Sequence, residues 1–352
     1  MKNYYHRRDF LKTTAAAGLG LGLSGRVSPL SLKRNSSMAD SLRAGIIGLD
    51  TSHVTAFTQT LNSQTAGPEF AGYKIVAAYP TKGSADMPAS IDRLAGFTDQ
   101  LRKMNVEIID SEEEFLKKVD VVFLESVDGR PHLELALPVL KAGKRMFIDK
   151  PISNSLAGAM AIFDASKKYN VPIFSSSATR FAPAARDIIE GRTKVGKVLG
   201  ADTYCPTGGA IGHPDMFFYG IHGIESLFTV MGTGCKEVAR FNTEGTDVLV
   251  GTWNDGRVGI FRGTPKGGKG GFGGTVFGKE IIEIGDFAGY KPMLVQIIEY
   301  FRTGIVPVSP DETLEIYAFM EAADESKQKN GVPVTLESVM QNARLKANGF
   351  SL

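Results

Sequence analysis

The plainest chemistry in this chain sits at Asp149-Lys150-Pro151. The short apolar run before it starts after Gly143 and reads as a buried parallel strand, which Pro151 ends because it has no N–H for a sheet ladder. A carboxylate and an amine are thereby delivered to the carboxyl end of a strand, the side on which open α/β sheets hold their ligands. A lysine held there is partly desolvated, the usual route to a useful proton donor or acceptor. The tripeptide alone is equally compatible with a surface lysine at a strand exit.

A second group lies near the start. Ala44-Gly45-Ile46-Ile47-Gly48-Leu49 reads as a strand entering a glycine turn, and Val54 to Leu61 has helical spacing of apolar positions. Strand, turn and helix open a βαβ unit, with a helix N-terminus able to face a phosphate. Placing the first glycine of the G-x-G-x-x-G dinucleotide fingerprint on Gly48 puts Asp50 and His53 at the other two positions, so one glycine of three is present. Thr51, Ser52 and His53 could donate hydrogen bonds to a cofactor or cap the helix. A carboxylate aimed at a pyrophosphate would be repelled, so Asp50 is expected to cap the helix or bind a ribose hydroxyl.

The elements that must carry these residues follow in order. Lys74–Tyr79 reads as the second strand, but no acid follows it before Asp86 to hold the ribose hydroxyls of NAD. Lys82 and Ser84 could instead favour the 2′-phosphate of NADP, or simply sit in solvent. An amphipathic stretch over 89–104 comes next, then a short strand at 106–109. Ser111 is placed to cap a helix over 112–118, with Glu114 completing a capping box. Asp120–Glu125 reads as a buried strand, 126–131 as a loop, and His132 as the opening of a helix that ends at Gly143. Strands and helices alternating at this spacing predict an α/β, doubly wound parallel sheet of the Rossmann type. A cofactor would then lie across strand ends 48–53, 125–128 and 149–150, taking in Ser126 and Asp149.

From residue 197 the pattern changes to strands with short glycine-rich connections, over 198–204, 237–241, 247–252, 257–262, 275–277 and 280–284. These predict an open, mostly antiparallel sheet in an α+β domain. His222 lies in an apolar helical stretch running to Met231, where a lone histidine is more often a satisfied core residue than a catalyst. The loop 207–215 could bring His213 and Asp215 beside a substrate. The histidines show no HxH or Hx₃H spacing, so no metal is expected. Pro265–Gly274 lacks the P-loop order and reads as a hairpin or mobile loop over the cleft. Helices over 291–302 and 311–329 close the pattern.

With 352 residues and a net charge of +2, and no basic block beyond the N-terminus, nucleic acid is not an expected partner. Residues 1–40 are of another kind. His6-Arg7-Arg8-Asp9-Phe10-Leu11-Lys12 precedes a mild apolar run, Ala15–Leu23, too short to span a membrane. The paired arginines and the glycine-rich core resemble a twin-arginine export signal, so a periplasmic or otherwise exported protein is expected, carried out already folded. The expected organisation is signal and linker over 1–40, a dinucleotide-binding domain over 41–165, and a substrate domain over 166–352.

The order of these parts resembles the glucose–fructose oxidoreductase/inositol dehydrogenase (Gfo/Idh/MocA) family. The likeness rests on the turn at 45–48, the helix at His132, and Ala142-Gly143-Lys144 leading into Asp149-Lys150-Pro151, where the family has Glu-Lys-Pro. Thr179-Arg180-Phe181-Ala182-Pro183, Val195-Gly196-Lys197-Val198 and the segment 307–327 extend it over nearly all of 43–340. The family's active-site histidine falls in Asp-x-Gly-x-His-x-x-Asp. Here Phe218-Tyr219-Gly220-Ile221-His222-Gly223-Ile224-Glu225 keeps the glycine and histidine, while Glu225 stands for the last acid and Phe218 for the first. The resemblance implies NAD or NADP as cofactor, Lys150 and His222 as the catalytic pair, and a carbohydrate or polyol substrate near Arg180. It also implies a homo-oligomer formed through the second sheet. Free nicotinamide nucleotide is scarce outside the cytoplasm, so export and this fold together imply a retained cofactor. Two other activities use the same parts: a glycosidase or lyase that oxidises its sugar transiently with no net redox, and a sugar-binding protein with a degenerate cofactor site.

Overall fold

The computed structural model describes residues 42–264, 271–285 and 287–352. The expected export signal and linker, and the Lys266 and Lys269 part of the loop after residue 264, lie outside the described residues. In the first half, strands β1 (Arg43–Ile47), β2 (Lys74–Tyr79), β3 (Glu107–Ile108), β4 (Val121–Leu124), β5 (Arg145–Ile148) and β6 (Ile173–Ser175) alternate with helices α1 (His53–Asn62), α2 (Pro88–Lys103), α3 (Glu112–Lys118), α4 (His132–Lys141) and α5 (Leu156–Tyr169). The six strands form one parallel sheet in the order β3-β2-β1-β4-β5-β6. The order reverses between β1 and β4, and the crevice at such a switch point is where this architecture binds ligands.

Local sequence explains the elements. All four residues of β4 are buried, as a strand covered on both faces requires. Ser111 and Ser155 accept hydrogen bonds from the backbone N–H groups of Glu114 and Gly158 and so start α3 and α5. Alternate strand residues feed two cores. Ile47, Val122, Leu124, Met146 and Ile148 pack with α4 and α5, while Ala44, Ile46, Phe123 and Phe147 pack with α1.

After α6 (Pro183–Ile189) the chain builds a second sheet from β7 (Gly200–Pro206), β8 (Cys235–Thr243), β9 (Thr246–Trp253), β10 (Val258–Thr264), β11 (Gly273–Phe277), β12 (Ile281–Ile284) and β13 (Val334–Thr335). Its order is β12-β11-β7-β10-β9-β8-β13, antiparallel throughout except for the β7–β10 pair. Helix α7 (Ile221–Met231) follows a wide helical turn over Met216–Gly220 and packs on β7 and β10. Helices α8 (Lys291–Thr303), α9 (Pro310–Gln328) and α10 (Leu336–Ala347) complete the chain. Helix α8 returns to the first sheet, where Met293, Ile297, Ile298 and Phe301 join the α1 side of its core. Among the described residues no helix is long and apolar enough to cross a membrane.

Candidate active site

Parallel register sets the site. Ile47 lies opposite Leu124, Leu124 opposite Ile148, and Ile148 opposite Ser175, so the residues just beyond these strands emerge side by side. A cavity of about 580 Å³ opens there, lined by Thr51, Ser52, His53, Asp149 and Lys150 from the first sheet. Across it stand His222 from α7, Ser177 and Thr179 from the turn after β6, and Phe218, Tyr219 and Phe272. Lys150 and His222 therefore share one cavity. The Lys150 ammonium stands 5.7 Å from the centre of the Phe218 ring.

His222 is set by its neighbours. Its Nδ1 pairs with Ser177 Oγ at 2.7 Å, and its ring meets Tyr219 and Phe272 edge-on at 5.2 and 5.5 Å. Burial, with the nearby Lys150 charge, holds its pKa well below the ordinary histidine value, so it is neutral at pH 7. A neutral imidazole whose Nδ1 is engaged keeps Nε2 for a proton on a ligand. Phe218 gives the cavity an aromatic wall where an acid was expected by resemblance.

Glu225 does not act on the cavity. It is buried, accepts from Ser176 Oγ at 2.5 Å, from the Ser177 N–H at 2.8 Å and from Arg180 Nε at 2.7 Å. Arg180, expected near substrate, is buried between Glu225 and Glu312 and does not line the cavity. The pair instead holds the Ser176-Ser177 turn against α7. His213 and Asp215 are also placed elsewhere. His213 Nε2 accepts from the Gly129 N–H at 3.1 Å, under the loop after β4, and Asp215 pairs with Arg240 and Lys327.

The turn after β1 divides in the same way. Gly48 has φ +81°, and a Cβ there would lie 2.6 Å from the Ser126 backbone nitrogen, so both conformation and space demand glycine. Ser126 is buried and lends its carbonyl to His132 Nε2 at 2.9 Å. Asp50 neither caps α1 nor reaches the cavity. Its carboxylate accepts from the Val127 N–H at 2.8 Å and from Ser90 Oγ at 2.5 Å, tying the turn to α2 and to the loop after β4. Gly48, Asp50 and Ser126 thus build the floor, while Thr51, Ser52 and His53 face the cavity.

His53 is held by two acids. Its Nδ1 lies 3.2 Å from Glu125 Oε2 and 3.2 Å from Asp149 Oδ2, contributed by the ends of β4 and β5. Burial works against an imidazolium, but Asp149 and then Glu125 outweigh it and raise the His53 pKa to about 10. Burial and the Asp149 charge push Glu125 up to about 7. Burial alone would also raise Asp149, yet the His53 charge and its hydrogen bond hold that carboxyl below its ordinary value. Glu125 closes an otherwise apolar buried strand, a signal in the sequence that its register neighbours make significant.

A nicotinamide nucleotide fits part of this arrangement. Thr51 Oγ1 is buried at the head of α1, lines the cavity and lacks a hydrogen-bond partner, as a donor waiting for an oxygen ligand would be. On the far side, Ser84 Oγ bonds Asp128, and Arg130 bonds Asp86 at 2.6 Å. These contacts bridge the loops after β2 and β4 across the end of β1. Ser177, Tyr219, Phe272 and Tyr290, which line the cavity beside the expected residues, carry no motif that isolates them in sequence.

Residues 42–176 match the family model described as oxidoreductase family, NAD-binding Rossmann fold. No curated protein matches the chain significantly. Among solved structures, the chain is similar to a probable dehydrogenase from Thermotoga maritima at 20% identity and TM-score 0.69, covering 85% of this chain and 100% of that one. A putative NADPH-dependent oxidoreductase from Desulfitobacterium hafniense is similar at 17% identity and TM-score 0.67, covering 86% and 100%. A scyllo-inositol dehydrogenase from Lactobacillus casei, with bound NAD(H) and scyllo-inositol, is similar at 15% identity and TM-score 0.66, covering 84% and 99%. At these identities the likeness shows the shared fold. Residues 42–176 thus resemble the NAD-binding Rossmann domain of the Gfo/Idh/MocA oxidoreductases, and the chain as a whole shares the fold of these solved structures.

Proposed function

We propose that this NAD(P)-dependent oxidoreductase is exported, keeps its cofactor tightly bound, and acts on a hydroxyl or carbonyl of a carbohydrate or polyol. The observation that carries the reading is the shared cavity of Lys150 and His222, with Thr51–His53 at its other side. When bound, the nicotinamide supplies hydride transfer. Lys150 hydrogen-bonds the reacting oxygen, and the neutral His222, oriented by Ser177, holds or takes its proton at Nε2. Tyr219 and Phe272 line the cavity with aromatic carbon on which the apolar side of a sugar would pack. The structures of inositol dehydrogenases among the similar folds support a polyol substrate. Exposed Tyr204, Phe241, Phe277 and Ile281 on the second sheet support a homo-oligomer. Arg7-Arg8 and the apolar run after it support export.

Denaturing the purified protein and identifying the released nucleotide tests the reading. About one equivalent of NAD or NADP is expected. Lys150→Ala should then abolish most turnover while nucleotide affinity stays within roughly tenfold, about 1.4 kcal/mol. A protein that neither releases nor binds a nicotinamide nucleotide would refute the assignment.

A further inference from the structure

We propose that His53, Glu125 and Asp149 form a binding site for one divalent transition-metal ion. The three side chains come from the head of α1 and the ends of β4 and β5, and one ligand atom of each lies within 4.8 Å of the others. An imidazole nitrogen and two carboxylate oxygens are a ligand set suited to Zn²⁺ or Mn²⁺. The spacing fits such an ion. Two donors 3.2 Å apart, as His53 Nδ1 is from each carboxylate oxygen, subtend about 100° at an ion roughly 2.1 Å from both. That angle lies between the tetrahedral and octahedral values.

A second observation points the same way. Glu125 is buried completely, yet its Oε1 has no hydrogen-bond partner. A fully desolvated carboxylate oxygen without a donor is costly, and a cation held by both Glu125 oxygens, Oε2 beside His53 and the unpartnered Oε1, removes that cost. His53 and Asp149 also line the cavity, so an ion here would keep positions open toward it, beside Lys150, for an oxygen donor of a bound ligand. The three ligands are far apart in sequence and come together only through parallel register, which is why no HxH spacing announces the site.

The test uses the full chain, dialysed against a chelator and titrated with Zn²⁺ or Mn²⁺, with bound metal measured by mass spectrometry. One equivalent is expected to bind, and Glu125→Gln and His53→Ala should each weaken binding at least tenfold. X-ray absorption at the zinc edge of the wild-type protein should show a nitrogen and oxygen shell near 2.1 Å with one imidazole. That readout stands if a variant does not fold. Stoichiometric binding that both variants leave unchanged, a shell without imidazole, or no binding at millimolar metal would each overturn the site in favour of an internal His53–carboxylate ion cluster.

Discussion

Substitution of Glu225 by glutamine probes the buried support of the site. Glu225 accepts three hydrogen bonds, from Ser176 Oγ, the Ser177 N–H and Arg180 Nε, and none of its neighbours is open to water. Glutamine keeps the shape but removes the charge and turns an NH₂ group toward donors that need an acceptor. Breaking one side of a buried ion pair costs about 3–5 kcal/mol. Arg180 retains Glu312 at 2.6 Å, so the lower end, about 3 kcal/mol, is the expected loss. Chemical denaturation followed by tryptophan fluorescence reads it as a fall in midpoint, since the lone Trp253, on β9 of the second sheet, is buried. Ser176→Ala sets the scale, with about 1.5 kcal/mol expected for one hydrogen bond to a charged carboxylate. Because the Ser177 backbone hangs on Glu225 and its hydroxyl meets His222, the glutamine variant should also lower kcat more than it changes KM. A loss under about 1 kcal/mol, the range of an exposed pair, would show that Glu225 does not anchor this turn.

Two further outcomes are expected. The ring protons of His222, followed by NMR, should show no titration between pH 6 and 8, because burial and then Lys150 lower its pKa and leave the imidazole neutral throughout this window. Lys150→Met removes one cause and leaves burial and the His53 charge, so the titration should move upward but stay below the ordinary histidine value; a His222 that titrates near 6.5 in the wild type would contradict the neutral-base role. Asp50→Ala should destabilise by about 2–3 kcal/mol, because it strands the Val127 N–H and the Ser90 hydroxyl. Asp50→Asn, which can still accept from Val127, should cost under about 1 kcal/mol, and equal losses in the two variants would refute the tie between turn and loop.

Much of the frame is written locally. The buried run of β4, the serine caps of α3 and α5 and the glycine turn at Gly48 are each decided within a few residues. Burial periodicity and backbone conformation act at that range, so the alternating strands and helices are legible in sequence. The placing of Lys150 at a strand end is legible for the same reason. The partners of each charged side chain are not. Whether Asp50 faces a phosphate or a backbone N–H depends on how the loop after β4 crosses the end of β1. Arg180 reads as a substrate contact until α7 brings Glu225 against it and α9 brings Glu312. His53 and Glu125, 72 residues apart, meet because β1 and β4 are neighbours in parallel register, with β5 adding Asp149. Strand order is a global choice, made by the burial of both sheet faces at once, and it alone decides which strand-end residues share a cavity.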